Sequence, residues 1–447
     1  MPIRIFRDAD DGRRFIMRRR EMRDTELSAG MREGVRRIFG EDLSAHDVVR
    51  RILDDIRKDG DDALRKYTRS IDRADITDFE VTEAEIDAAF ESVPADVIEA
   101  LRFSAGRIEA FHKKQRIGSW IEFDDDGALG QIVRPLDRVG VYAPGGTAPY
   151  PSSLMMAAVP ARVAGVEEVI VCAPPEPGGR IAPVTLVAAR ISGVDRVYAA
   201  GGAQAIAAMA YGTHTIPKAD KILGPGNIFV VLAKQMVYGD VDIESLPGPT
   251  ETVVIADDSA TPELCAADLL AQAEHDPMAS AILITSSREL AEKVSSTIDQ
   301  QLRSLTRRNV IEQSLENNGA VIVTEDIGKA FDIANDYAPE HLCLLTADPW
   351  SQIGLVKHAG GIFIGEHSPE VIGDYTAGPS HIMPTGRTAR FASPVNVLDF
   401  VKIISVVGLN EGAMRRVGPP AAKIARAESL TAHAAAIDFR LQRDRDE

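Results

Sequence analysis

The chain has 447 residues, of which 45% are hydrophobic and 26% charged, so two or more packed units are expected rather than one core. Its formal charge of −17, from 50 Lys and Arg against 67 Asp and Glu, repels nucleic acid and anionic membranes and points to a small-molecule substrate. No run of about 20 apolar residues exists, because the best candidate, 154–166, is broken by Pro160 and Arg162. Three distant cysteines, Cys172, Cys265 and Cys343, form no CxxC pair and fit buried thiols of a reducing cytoplasm, with neither disulfide nor thiolate metal site expected. The basic start (Arg4, Arg7, Arg13, Arg14, Arg18, Arg19, Arg20) is interrupted by Asp8, Asp10 and Asp11 and has no apolar signal core, so a cytoplasmic protein is expected.

Residues 1–23 read as a basic arm, either a solvated helix or a strap onto a partner subunit. From 44 to about 117 apolar residues recur at helical spacing, as in Val48, Ile52 and Ile56 followed by Ala63, Leu64 and Tyr67. From Val139 the pattern changes to short apolar runs alternating with Ala-rich helices: VGVYAP, VEEVIVCAP, RVYAAGG and KILGPG. A second series follows Pro249, with TETVVIADD, SAILITSS, NGAVIVTED, HLCLLTAD and GGIFIGE. Strands buried on both faces and joined by helices imply parallel sheets, so two α/β layers are expected. An Ala- and Arg-rich stretch after about Arg387 ends in a helical pattern over 421–436 and a charged tail.

In a doubly wound sheet ligands bind where strands end, which directs attention to the Gly-rich ends APGGTAPYPSS (143–153), AGGAQA (200–205) and LGPGN (223–227). None is a GxGxxG or GxxxxGK[ST] fingerprint, and each alone is equally a tight turn. The segment 261–277, TPELCAADLLAQAEHDP, reads as a helix capped by Thr261 and opened by Pro262, with Gln272 and His275 three apart on one face. They can converge on a metal or polar ligand, or be a solvated Gln beside a His that meets the helix dipole. In DYAPEHL (336–342), Glu340 and His341 form either an acid/base pair at a strand mouth or a surface Glu beside a buried His. The turn-rich GDYTAGPSHIMP (373–384) carries Asp374 and His381, residues of function or of turn capping. Glu428 and His433 lie five apart on an expected helix, hence on different faces unless it breaks between them. His275, His433, Asp374 and Gln272 together make a possible N/N/O/O set suited to zinc, without a local motif such as HExxH.

Taken in order, VGVYAPGGTAPYPSS, GGAQAIAAMAYGT, GPGNIFV, PGPTETVVIAD, DLLAQAEHDP, DYAPEHL, GDYTAGPSHIMPT and ESLTAHAAA resemble the histidinol dehydrogenase family over almost the whole chain. The resemblance implies a zinc-dependent homodimer that oxidises L-histidinol through a bound aldehyde to L-histidine with two NAD+ in succession. It implies Gln272, His275, Asp374 and His433 as zinc ligands, one zinc per subunit, the last reaching in from the partner subunit. It implies Glu340 and His341 as the acid/base pair, and substrate contacts at Thr250, His341, His381 and Glu428 along with the metal ligands. NAD contacts would be Tyr142, Gln204 and Asn227.

The fold expected is α/β, with two Rossmann-like parallel-sheet domains lacking GxGxxG plus a small helical N-terminal arm and a C-terminal tail domain. The boundaries expected are an arm at 1–23; a discontinuous α/β domain of 24–138 and 249–386 carrying most zinc and substrate residues; an inserted NAD-side domain at 139–248; and a tail at 387–447 reaching the partner. Two features depart from the family pattern. Thr250 stands where Ser is common, and the segment 378–400 also resembles relatives acting on other alcohols such as sulfopropanediol. A paralogous dehydrogenase of another small alcohol, and more remotely a zinc hydrolase, are the alternative functions.

Overall fold

The computed structural model describes residues 3–18, 27–145 and 149–446. Arg19, Arg20 and the middle of the 143–153 loop lie outside the described residues. The chain divides into two compact units, one of residues 1–115 and 137–400, the other of 116–136 and 401–447.

The larger unit holds two parallel sheets. One has the strand order Ile5–Phe6, Ala320–Val323, Ser280–Thr285, Glu251–Ala256, His341–Leu345, Gly361–Ile364. Glu251–Ala256, Ser280–Thr285, Ala320–Val323 and His341–Leu345 are buried at every position, which is why they read as continuous apolar runs instead of alternating ones. Each buried Val or Ile there contributes about 1.5–3 kcal/mol through apolar area removed from water. The other sheet runs Arg196–Ala199, Glu168–Ala173, Arg138–Tyr142, Lys221–Leu223, Asp242–Ile243. Both orders reverse direction beside an inner strand, Glu251–Ala256 in one and Arg138–Tyr142 in the other, the arrangement that opens a crevice for ligands in doubly wound folds. The two expected α/β layers are therefore present, and the three free cysteines are buried.

Several expected boundaries differ. The basic arm is not a separate solvated helix: Ile5 and Phe6 pair with Val321 and Ile322, and the helix Ala9–Ile16 packs Gly12 so closely on Ile322 that no Cβ would fit. Helices within residues 24–92 do not join the first sheet. Val48, Val49, Ile52, Ile56, Leu64 and Tyr67 share a core with Tyr142, Ile170, Cys172 and Tyr198 of the second sheet, because their apolar stripe needs that face for cover.

The smaller unit begins at Val401 instead of 387 and draws in residues 116–136. Its antiparallel sheet joins Val401–Leu409, Gly127–Pro135 and Trp120–Asp124, with the helices Glu411–Ala427 and Thr431–Asp446 packed on each other. These strands escape sequence reading because most of their residues remain accessible, leaving little in–out alternation to detect. Among the described residues no helix is long and apolar enough to cross a membrane.

Candidate active site

The helix expected over the TPELCAADLL segment spans Pro262–Ala273, but Thr261 makes no side-chain cap; its backbone N–H and its hydroxyl donate to Glu366 at 2.6 and 3.1 Å. Gln272 closes this helix and is buried, while His275 follows it and remains open to solvent. Gln272 Nε2 donates to Thr250 Oγ1 at 2.7 Å, and Thr250 Oγ1 donates onward to Glu340 Oε2 at 2.5 Å. The backbone N–H of Glu251 donates to the same Glu340 oxygen at 3.1 Å. Glu340 thus ends a short relay that begins on the helix Pro262–Ala273.

Glu340 and His341 open the strand His341–Leu345, and Thr250 and Glu251 open its neighbour. Both are buried. Desolvation pushes the Glu340 pKa up to about 7, opposed by its bonds to Thr250 and Glu251. Desolvation also pulls His341 below the ordinary imidazole value. The Nδ1 of His341 lies 3.2 Å from the Glu251 carbonyl oxygen and 3.7 Å from Glu340 Oε2. A carbonyl only accepts, so Nδ1 carries the proton and Nε2 is left as the basic nitrogen.

Asp374 lies in the helix Glu370–Tyr375. Desolvation raises its pKa to about 6, and the charges of His341 and Glu340 act on it. His381 Nδ1 donates to the Asp374 carbonyl at 2.9 Å, and its Nε2 lies 3.3 Å from Ser153 Oγ on the helix Pro151–Ala164. Burial lowers His381 to about 4, with smaller pushes from His341 and His275. His275 is lowered by desolvation and then by His341. Thr250, Gln272, His275, Glu340, His341, Asp374 and His381 are therefore linked by hydrogen bonds or by mutual electrostatic influence.

At the carboxyl ends of the second sheet stand Tyr142, Gln204 and Asn227. Tyr142 Oη accepts from the Gly202 N–H at 3.1 Å, and Gln204 Nε2 donates to Asp72 Oδ2 at 3.0 Å. Asn227 caps the helix Ile228–Val237, its Oδ1 accepting from Phe229 and Val230. Gly224, with φ +122, approaches the Tyr142 carbonyl so closely that a Cβ would overlap it. Glu428 and His433 belong to the smaller unit, both exposed. The helix expected across them breaks there: Glu428 ends one helix, Ser429 has φ +61, and His433 lies in the first turn of the next.

Sequence reading missed several members. Glu370, buried at the start of the helix that carries Asp374, accepts from Thr252 Oγ1 and is pushed well above the carboxylate range by desolvation. Ser153, Glu251 and Asp72 were also missed, since each acts through contacts over about 90 residues or more that no local motif signals. A cavity of about 1220 Å³ beside this region is lined by Pro249, Glu251, Thr385 and Arg387, but not by Glu340, His341 or His275. Among the described residues no group of three His, Cys, Asp or Glu is gathered that could hold a metal.

Two doubly wound sheets, a buried carboxylate beside a buried imidazole, and Gly-rich strand ends on the second sheet are features of an α/β enzyme with groups able to move protons. A family model described as histidinol dehydrogenase matches residues 37–441. The histidinol dehydrogenase of Deinococcus radiodurans is 54% identical over 410 residues, covering 91% of this chain and 93% of that one. That of Thermus thermophilus is 49% identical over 405 residues, covering 91% and 97%. The crystal structure of histidinol dehydrogenase from Elizabethkingia anophelis superposes with a TM-score of 0.90 at 34% identity, covering 98% of each chain. The chain belongs to the histidinol dehydrogenase family and is an oxidoreductase.

Proposed function

We propose that this protein oxidises L-histidinol through L-histidinal to L-histidine, with two NAD+ consumed in succession, in histidine biosynthesis. The observation that carries the reading is the pairing of Glu340, near-neutral in acidity, with His341, whose Nε2 is free to take a proton. In the first oxidation His341 Nε2 removes the alcohol proton as hydride leaves the carbinol carbon, for which NAD+, when bound, would be the acceptor. Glu340 then takes a proton from the water that hydrates the aldehyde. Its Oε2 is held by Thr250 and Glu251, which orients Oε1 for that water. Once His341 has passed its first proton to solvent, its Nε2 accepts the hydrate's proton in the second oxidation as a second hydride leaves the same carbon.

The donors fit zinc. Gln272 spends its Nε2 on Thr250 and keeps Oε1 as an acceptor, His275 is held toward its neutral form, and Asp374 supplies a carboxylate. These three, with His433 of the partner subunit in a homodimer, make the N/N/O/O set that suits this ion. When bound, zinc supplies a fixed point for the substrate's polar groups, orienting the carbinol toward His341. Thr250, His381 and Glu428 of the partner subunit would line the substrate, and Tyr142, Gln204 and Asn227 the dinucleotide.

The test is NADH formed per mole of limiting L-histidinol on metal-analysed protein, with a chelator control. Two equivalents, lost on chelation and restored by zinc, are expected. One equivalent, or none, would move the substrate to another small alcohol.

A further inference from the structure

Asp72 sits at the end of a π-helical turn, Thr68–Asp72, in the helical layer over the second sheet. Such a wide turn is uncommon and often marks a working position. Here it delivers a carboxylate to the start of the helix Gly202–Tyr211. Asp72 Oδ2 accepts from Gln204 Nε2 at 3.0 Å, and the Gly201 backbone also bonds this carboxylate. Gly201 has no room for a side chain: an added Cβ would lie 2.9 Å from Asp72 Oδ1 and 2.6 Å from Pro174.

The second observation is Gln204 itself. Its side chain is fully buried, and its Oε1 has no hydrogen-bond partner among the described residues. An orphaned buried acceptor costs about 1–3 kcal/mol unless a ligand supplies a donor. The orientation of the amide is fixed by chemistry: an ionised carboxylate only accepts, so Gln204 must turn its NH2 to Asp72 and its oxygen away. Oε1 stands over Gly202, where a Cβ would lie 2.7 Å from it, and Gly202 in turn donates to Tyr142 Oη.

The geometry assigns to Asp72 the role of positioning residue for the dinucleotide: it locks the Gln204 amide so that Oε1 accepts from a hydroxyl or amide N–H of NAD+. This rests on the reading of the crevice as the NAD+ site. Many dinucleotide folds place an acidic side chain directly on a ribose hydroxyl. In this chain the acid is committed to protein groups and acts through the glutamine.

The deciding variant is Asp72→Asn, which preserves size. Its oxygen must keep accepting from Gly201, so its NH2 faces Gln204, and the Gln204 amide turns over to answer it. An acceptor toward the dinucleotide becomes a donor. The KM for NAD+ should rise about tenfold, the loss expected for one mismatched buried hydrogen bond, with kcat at saturating NAD+ within about twofold of wild type and the melting temperature unchanged. In a Gln204→Ala background the same Asp72→Asn change should add nothing, because its effect passes through that amide. An unchanged KM in Asp72→Asn, or penalties that multiply in the double variant, would overturn the assignment. NAD+ affinity measured by calorimetry without substrate keeps this separate from substrate identity. Wild-type protein that binds NAD+ yet yields no NADH from L-histidinol overturns the proposed reaction and leaves Asp72 to be decided by affinity; protein that does not bind NAD+ overturns both.

Discussion

Thr250 Oγ1 stands between two groups, donating to Glu340 Oε2 at 2.5 Å and accepting from Gln272 Nε2 at 2.7 Å. A single hydroxyl thus connects the proposed acid/base carboxylate to a proposed metal ligand. Thr250→Val keeps the shape and removes both bonds, leaving the buried Gln272 Nε2 without this acceptor and Glu340 Oε2 with only the Glu251 N–H. Since the Thr250 bond lowers the Glu340 pKa, its loss should raise that pKa further. Turnover at pH 7.5 should fall about 10- to 100-fold and the pH profile move alkaline, whereas Thr250→Ser should remain near wild type. Steady-state rates against pH for the three proteins check this.

Glu340 also couples acidity to folding. Its folded pKa of about 7 lies above the ordinary 4.5, so between these values the folded state retains a proton that the unfolded chain releases. This group's contribution to stability is complete below about pH 4.5 and is lost as pH rises through 7. In metal-free protein, Glu340→Gln should therefore raise the melting temperature relative to wild type at pH 8, with the gain shrinking toward pH 5. The same substitution should cut the second oxidation more than the first. Equal melting shifts at both pH values would show that the carboxyl is not destabilised in the fold.

His275 and His341 should separate metal from chemistry. His275→Ala is expected to lose zinc and activity together, and His341→Ala to keep zinc while slowing hydride transfer by roughly two to four orders of magnitude, the usual worth of a general base. Metal analysis beside single-turnover rates distinguishes them. Full zinc occupancy in His275→Ala would remove this ligand from the set.

Lys234 and Glu244 are both almost wholly inaccessible and lie 2.6 Å apart. Each also holds Gly224, Lys234 donating to its carbonyl at 3.2 Å and Glu244 accepting from its N–H at 2.8 Å. Lys234→Met leaves a buried carboxylate uncompensated and should cost about 3–5 kcal/mol in denaturant unfolding. Lys234→Met with Glu244→Leu should recover part of that loss.

The two sheets were legible because their strands are buried on both faces and read as plain apolar runs, as in Val253 to Ile255 or Val169 to Cys172. The crevice of the second sheet was also legible, since Gly224 and Gly202 mark the carboxyl ends where that rule places ligands. The rule does not lead to Thr250, Glu340 and His341, which stand at the amino ends of their strands; only the family resemblance singled out Thr250. Asp72 and Glu370 were invisible because a lone acid carries no signal until the fold brings Gln204 or Thr252 to it. The strand Val401–Leu409 was hidden because most of its residues remain accessible, and its pairing could not be read because the partner lies about 270 residues earlier.

The placement of Thr250, Glu340 and His341 at strand starts bears on how such a protein changes over generations. Each lies where a loop gives way to a strand whose remaining side chains are committed to the core. A substitution in 246–250 or 378–387 can reshape what the pocket accepts without disturbing sheet packing, so selectivity can drift while the scaffold stays fixed. Under the proposed function Thr250, one methyl larger than serine, would be a step of that kind, and its neighbours in those loops are where directed evolution toward a new alcohol should begin.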